Sequence, residues 1–357
     1  MNRLFTDWDS LSNLLCIRLD NMGDVLMTTP ALRALRKEGR RITLLTSASG
    51  AAIAPFLPEV DDVLSFDVPW IKHSRYAAAS EVLRLAEVLR ERRFDGAVLF
   101  TVQSQNPLPA AMLCYLAGIP KVLGYCRENP YDLITHWVPD EEVLFAAYHE
   151  VDRQLRLVAA IGCSAEKSNL SLRIPPEAKT WAAAFLQQQG LVQGMPWLVL
   201  HPGASEARRR YPAAQLAAIA AELVAHTGVR ILLTGSASER ELTAQLAESL
   251  GSAAIDLGGA LPLEHLIALI DAAPVVLTNN SGPVHIAAAT GTPVVVLYAM
   301  TNPQHTPWQV EQAVFYFEVP EDQRSRNVLL QTFPHPGEPR VTNSRVVRAV
   351  EHFLNRY

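Results

Sequence analysis

Little in this chain invites metal or redox chemistry. Four cysteines occur in 357 residues, Cys16, Cys114, Cys126 and Cys163, and no two form a Cys-x-x-Cys pair or a Cys/His cluster with zinc spacing. That excludes a disulfide framework and suits a reducing compartment. His149, His201 and His305 are scattered, and no HExxH, GxSxG or Walker A motif is present. Neither half has a GxGxxG after its first apolar run, which argues against a nicotinamide-dependent dehydrogenase. No uncharged apolar stretch approaches the roughly 18 residues of a membrane-spanning helix. The opening residues, MNRLFTDWDSLSN, lack the charged-then-apolar pattern of a signal peptide. A basic excess is also missing: 31 Lys+Arg stand against 36 Asp+Glu, a formal net charge of -5. No global field therefore points to nucleic acid, and an anionic ligand must be held by a local cluster. The expected location is cytoplasmic, with room for peripheral contact at the cytoplasmic face of a membrane.

What is present is core-forming material, 49% hydrophobic against 19% charged residues. The length predicts about two domains. In the first half, apolar runs at 14–19, 41–46, 60–66 and 94–100 read as strands. Helical patterns lie between and beyond them at 23–37 (interrupted by Pro30), 77–92, 109–116 and 148–161. A polar stretch, 167–176, ends in Pro175-Pro176 and reads as a linker. The second half repeats the scheme with five strands, 197–201, 229–234, 254–257, 275–278 and 294–298, separated by helices. A last helix spans 341–354. Continuous apolar strands alternating with helices predict parallel sheets covered on both faces. The predicted division is 1–172, 173–340, and a terminal segment 341–357 packing back toward the first domain.

In doubly wound sheets ligands bind beyond the carboxyl ends of strands, and four loops there carry candidate chemistry. Asn279-Asn280-Ser281-Gly282-Pro283 runs from a strand into a helix. Pro283 is read at the first helical position, Ser281 or Gly282 as the cap, and His285 one turn in. The free N–H groups and partial positive charge of such a helix start suit a phosphate. Asp20-Asn21-Met22-Gly23-Asp24 also opens a helix, and Asp24 reads either as a dipole-stabilising acid or as a general base. Asp20 reads as a turn former. Arg208-Arg209-Arg210 lies in the loop after a strand ending His201-Pro202-Gly203, where three guanidinium groups can neutralise a diphosphate. Gly235-Ser236-Ala237-Ser238-Glu239 offers a helix cap at Ser238 and, at Glu239, a carboxylate for a ribose diol. Asp61-Asp62 has no metal partner in sequence and reads as structural.

These residues together resemble glycosyltransferase family 9, the ADP-heptose:lipopolysaccharide heptosyltransferases. The likeness is carried by IRLDNMGDVLMTTPALRAL (17–35), AAMLCYLAGIPKVLGY (110–125), LVLHPGASEARRRYP (198–212), LLTGSASERE (232–241) and LTNNSGPVHIAAATGTPVVVLYAMTNPQHTPW (277–308). The resemblance implies an α/β GT-B fold, with two Rossmann-like doubly wound domains facing across a cleft. The first domain would take the acceptor and the second the nucleotide sugar. It implies inverting transfer without a metal ion or cofactor, from a donor that is ADP-heptose by family habit, to a glycan or glycolipid of the lipopolysaccharide-core type. Asp24 falls on the family's base. Gly23, Arg208, Arg209, Arg210, Ser281, Gly282 and His285 fall on or beside its phosphate contacts, and Gly235, Glu239 and Asn280 on its nucleotide contacts. Asp20, Asn21 and Gln103 are expected to meet the acceptor. Asn280 stands where Asp is common, Tyr211 where Trp is more usual, and the loop 103–106 is polar rather than basic. Two alternatives use the same fold: an epimerase of nucleotide sugars, which would need no acceptor, and a non-catalytic nucleotide-binding module.

Overall fold

The computed structural model describes residues 7–71, 77–141, 148–192, 194–299, 303–319 and 339–356. The chain divides into two compact units, Met1–Ser171 and Leu172–Tyr357.

The first unit holds six strands: β1 (Asn13–Arg18), β2 (Arg41–Thr46), β3 (Asp62–Ser65), β4 (Gly96–Leu99), β5 (Val122–Cys126) and β6 (His136–Pro139). They form one parallel sheet in the order β3-β2-β1-β4-β5-β6. The register is in phase across the centre, with Cys16 opposite both Leu44 and Val98. Helices α1 (Met22–Leu35), α2 (Ala48–Ile53), α3 (Ala79–Glu91), α4 (Leu108–Leu116) and α5 (Glu150–Ala159) complete the unit. The period-two alternation of a strand sorts its side chains between two faces. Leu15, Ile17, Leu45 and Leu99 pack with Leu85 and Leu89 of α3 and Leu113 of α4. Arg18 has the opposite parity and meets α1 and α5 instead.

Pro30 does not interrupt α1, as the sequence suggested; it lies inside the helix. A proline supplies no N–H to the carbonyl four residues back, which here is Leu26. The Thr29 hydroxyl donates to that carbonyl at 2.7 Å, so it keeps a donor. Asp61 and Asp62 are structural, as expected: Asp61 accepts from Arg36 and the Ile42 amide, and Asp62 pairs with Arg92 and Arg41.

The second unit contains β7 (Trp197–His201), β8 (Arg230–Leu233), β9 (Ala254–Asp256), β10 (Val276–Asn279), β11 (Val294–Ala299) and β12 (Gln312–Phe317). Their order is β12-β11-β10-β7-β8-β9, all parallel. Read from β9, this is the order of the first sheet. Six strands form it, not the five expected, because β12 adds to the β11 edge. Its helices are α6 (Pro176–Gln188), α7 (Ala213–Thr227), α8 (Arg240–Leu250), α9 (Leu263–Ala272), α10 (Gly282–Thr290) and α11 (Asn343–Leu354). Pro176, read as the end of a linker, instead starts α6, where its fixed φ is preorganised for a helix. Helix α11 buries Val346, Val347, Val350 and Phe353 in a cluster with Leu216, Ile219 and Leu223 of α7. Its apolar stripe is part of the second unit's own core. Among the described residues no helix is long and apolar enough to cross a membrane.

Both sheets have the 3-2-1-4-5-6 order of a dinucleotide-binding fold, in which the chain reverses direction between the first and fourth strands. Each unit therefore has a crevice at the carboxyl ends of these strands: β1 and β4 in the first, β7 and β10 in the second.

Candidate functional site

In the first unit, β1 ends on Arg18, the loop to α1 carries Asp20 and Asn21, and the buried Gly23 is the second residue of α1. Asp24 is the third residue of α1, and its Oδ2 accepts from the Asn21 backbone N–H at 3.3 Å, half of a capping box. Its Oδ1 accepts from the Arg18 guanidinium at 3.2 Å. Arg18 is wholly buried and also meets Asp20 at 3.0 Å and Glu150 at 2.7 Å. Asp20 further accepts from the side-chain amide of Gln105 in the loop after β4. Burial pushes the Asp20 carboxyl up to about 7 against the pull of Arg18, and the charges of Asp24 and Glu150 add to the rise. Gln103, expected to meet an acceptor, is buried, and Gln105 is the residue of that loop that reaches Asp20.

The raised Asp20 has a consequence for stability. An unfolded Asp ionises near pH 3.9, so between about pH 4 and pH 7 the folded chain keeps a proton that the unfolded chain releases. Stability tied to this group is complete below that window and is lost as pH rises through about 7. Asp20→Asn removes this slope. The thermal midpoint of the variant, relative to the parent, should be higher at pH 8 than at pH 5 by a few degrees, measured by circular dichroism; equal differences at both pH values would contradict the assignment.

In the second unit, the loops after β7, β8 and β10 converge at the other crevice. Asn279 is buried and braces it: its Oδ1 accepts from the Tyr211 N–H at 3.0 Å and its Nδ2 donates to the Pro202 carbonyl at 2.6 Å. Its neighbour Asn280 is hydrogen-bonded to the buried Tyr298 hydroxyl, which lies in the field of Arg209. Helix α10 is capped by the Ser281 backbone without a side-chain cap bond, and Gly282 is its first residue. Pro283, read at the first position, thus stands second, where its missing N–H is equally harmless. Gly291 closes the helix in the left-handed conformation at φ 82°. His285 is buried within the first turns.

The three arginines are not equivalent. Arg208 Nε donates to Glu206 at 2.7 Å, and Arg210 Nε donates to the Ala204 carbonyl at 2.9 Å. Arg209 approaches Glu206 only to 3.7 Å. Glu239 follows β8, past Gly235, in a short 3-10 turn, and its Oε2 accepts from the Ser236 N–H and hydroxyl, each at 2.8 Å. The cap of this turn is Ser236, not Ser238. Burial works to raise the Glu239 carboxyl, yet the two Ser236 bonds, His201 and Arg210 together hold it below the usual range. Arg210 stands 4.0 Å from Glu239 Oε1. His201 lies 3.9 Å from Oε2, and burial pushes its imidazole down to about 4, so its charge adds to this pull only in acid and at neutral pH the contact is with a neutral ring. Gly203 is required here: a Cβ at this position would lie 2.0 Å from Glu239 Oε1.

Each crevice thus gathers most of the residues expected of it: Asp20, Asn21, Gly23 and Asp24 in the first unit, and Arg208, Arg209, Arg210, Gly235, Glu239, Asn280, Ser281, Gly282 and His285 in the second. The sequence reading missed Arg18, Glu150, Gln154, His201 and Tyr298. For Arg18 a signal existed, because a charged residue closing the buried run LLCIR must have partners. The family model of glycosyltransferase family 9 (heptosyltransferase) matches residues 82–331. The chain belongs to this family. It is a glycosyltransferase, and it is 26% identical to lipopolysaccharide heptosyltransferase 2 of Escherichia coli K12 over 301 residues, covering 80% of this chain and 82% of that protein. It is 32% identical over 312 residues to lipopolysaccharide core heptosyltransferase OpsX of Haemophilus influenzae, covering 85% and 83%. Among solved structures, the family 9 glycosyl transferase of Veillonella parvula superposes with a TM-score of 0.77 at 20% identity, over 100% of this chain and 99% of that one. The Escherichia coli ADP-heptose lipopolysaccharide heptosyltransferase II gives 0.72 at 23% identity, over 96% and 99%. The glycosyltransferase has the GT-B class of fold, built from two Rossmann-like units.

Proposed function

We propose that this glycosyltransferase moves a heptose from ADP-heptose to a hydroxyl of a glycolipid acceptor of the lipopolysaccharide-core type, with inversion at the anomeric carbon. One observation carries the donor half: the second unit's crevice combines three arginines, a carboxylate and the start of α10 around loops braced by Asn279. Guanidinium groups and free helix N–H groups are the donors a departing diphosphate needs. The heptose and the acceptor class come from the relatives' activities. Glu239 Oε1 is offered for the ribose, its Oε2 being held by Ser236.

In the reaction, Asp24 accepts the proton of the acceptor hydroxyl. The freed oxygen forms a bond to the anomeric carbon as the bond from that carbon to the diphosphate oxygen breaks. The electron pair leaves with the diphosphate, whose charge Arg209, Arg210 and the N–H groups near Ser281-Gly282 stabilise. No metal or cofactor is part of this scheme, because these groups supply the positive field. A lipid-linked acceptor also calls for peripheral contact with a membrane surface.

The donor assignment is tested by thermal shift with ADP, UDP and GDP. A ligand at 100 times its Kd stabilises by about 2.7 kcal/mol, so ADP should raise the midpoint by degrees where equal concentrations of UDP and GDP do not. A preference for UDP would overturn the ADP-heptose reading. Product analysis with donor alone separates transfer from epimerisation, since an epimerase would convert the donor without an acceptor.

A further inference from the structure

Arg18 is the hub of a closed ring of side chains. Its Nε faces Asp20 at 3.0 Å, one terminal nitrogen reaches Asp24 at 3.2 Å, and the other reaches Glu150 at 2.7 Å. Glu150, wholly buried, is the first residue of α5 and accepts from the Gln154 amide at 2.5 Å. Gln154 also donates to the Thr101 carbonyl at 3.1 Å, and Arg153 Nε donates to the same carbonyl at 2.9 Å. Thr101 begins the loop that carries Gln105, whose amide donates to Asp20 and closes the ring.

We propose that Glu150 is a positioning residue for Asp24, acting through Arg18: it holds the guanidinium so that Asp24 receives a single nitrogen, and its negative charge keeps Asp24 basic. This rests on the reading of Asp24 as the base. A guanidinium with one carboxylate partner settles into a bidentate pair, which stabilises the ionised acid and makes it a poor proton acceptor. Here one cation is divided among three carboxylates. The other charged groups packed around Glu150 do not alter that balance. Arg153 is matched by Asp140 in a two-bond pair at 2.9 and 3.0 Å and lies over the Tyr125 ring. His149 uses its Nδ1 to cap α5, accepting from the Val151 N–H at 3.2 Å, and Asp152 adds a further negative charge in the first turn. Burial raises the Asp20 carboxyl beside this network, and the charges of Asp24 and Glu150 add to the rise. The acid limb of a pH–rate profile then belongs to the cluster rather than to one carboxyl.

The experiment is the pH dependence of kcat/KM for Glu150→Gln, measured as ADP release from ADP-heptose with a deacylated lipopolysaccharide core as acceptor. Glutamine keeps the shape and removes one negative charge. The acid limb should move down by about one pH unit, with the donor KM within about twofold. A residue that only supports the fold would lower the rate at all pH values and leave the limb in place. Arg18→Lys is the second variant, and it alone decides the matter if Glu150→Gln does not fold. An ammonium cannot span three carboxylates, so the limb should move up by about one unit. Unmoved limbs in the folded variants overturn the inference. Asp24→Asn separates the two claims: if it keeps turnover, the base assignment itself falls; if it is inactive while the limbs stay put, only the role of Glu150 falls.

Discussion

Asp24→Asn should lower turnover by roughly 10²- to 10⁴-fold, the usual contribution of a general base, and leave donor affinity within about twofold. The carboxylate is anchored at both oxygens, to Arg18 at 3.2 Å and to the Asn21 N–H at 3.3 Å. An amide has one acceptor and one donor group. If its oxygen keeps the bond to Arg18, its NH₂ faces the Asn21 N–H, and the capping box is lost at a cost of about 1 kcal/mol to α1. That cost is small beside the expected kinetic effect, so a modest fall in thermal midpoint with an intact ADP titration would accompany a nearly inactive enzyme. Turnover near that of the parent enzyme would remove Asp24 from the base role.

The second large effect is expected at a residue with no functional group. Gly203→Ala places a methyl 2.0 Å from Glu239 Oε1 and 2.2 Å from its Cδ. The carboxylate cannot yield cheaply, because its other oxygen is fixed by two Ser236 bonds of 2.8 Å. Overpacking of this kind costs about 1–3 kcal/mol, and the displaced carboxylate no longer faces Arg210. ADP affinity should fall at least about tenfold, equivalent to about 1.4 kcal/mol, by isothermal titration. The cause is checked by a double-mutant cycle: in a Glu239→Ala background the same glycine substitution should be nearly silent in stability. Additive losses would show that the methyl acts elsewhere.

The parts of the fold most legible in the sequence are strands with a continuous apolar run. β1, β2, β7, β8, β10 and β11 are all of this kind, and each was anticipated, as were the edge strands β3 and β9. Most of the strands passed over lie toward sheet edges, where the pattern is weaker: β5 contains Gly124, β6 runs from His136 to Pro139, and β12 begins on an exposed Gln312. Proline misled twice. Pro30 was read as a break and Pro176 as a linker, although one lies inside a helix and the other starts one. The placement of the candidate residues was legible for a simple reason: Asp24, the arginines, Glu239 and the 279–283 loop all follow strands flanking or adjoining a topological reversal. The Arg18–Glu150 pair was not, because it joins residues 132 positions apart and no local spacing relates them.

The double hydrogen bond of Asn279 has a further consequence for which changes these loops can tolerate. Its side chain donates to one backbone group and accepts from another. Asp could do only the second and would set a charge against the Pro202 carbonyl, so spontaneous deamidation or drift to Asp at 279 would pull the loops after β7 and β10 apart. Asn280, one residue on, is tied instead to a side-chain hydroxyl, that of Tyr298. Two adjacent asparagines therefore face different constraints: the first is held by two backbone groups, and the second by one side-chain hydroxyl, so a change at 280 leaves the frame of the loops intact.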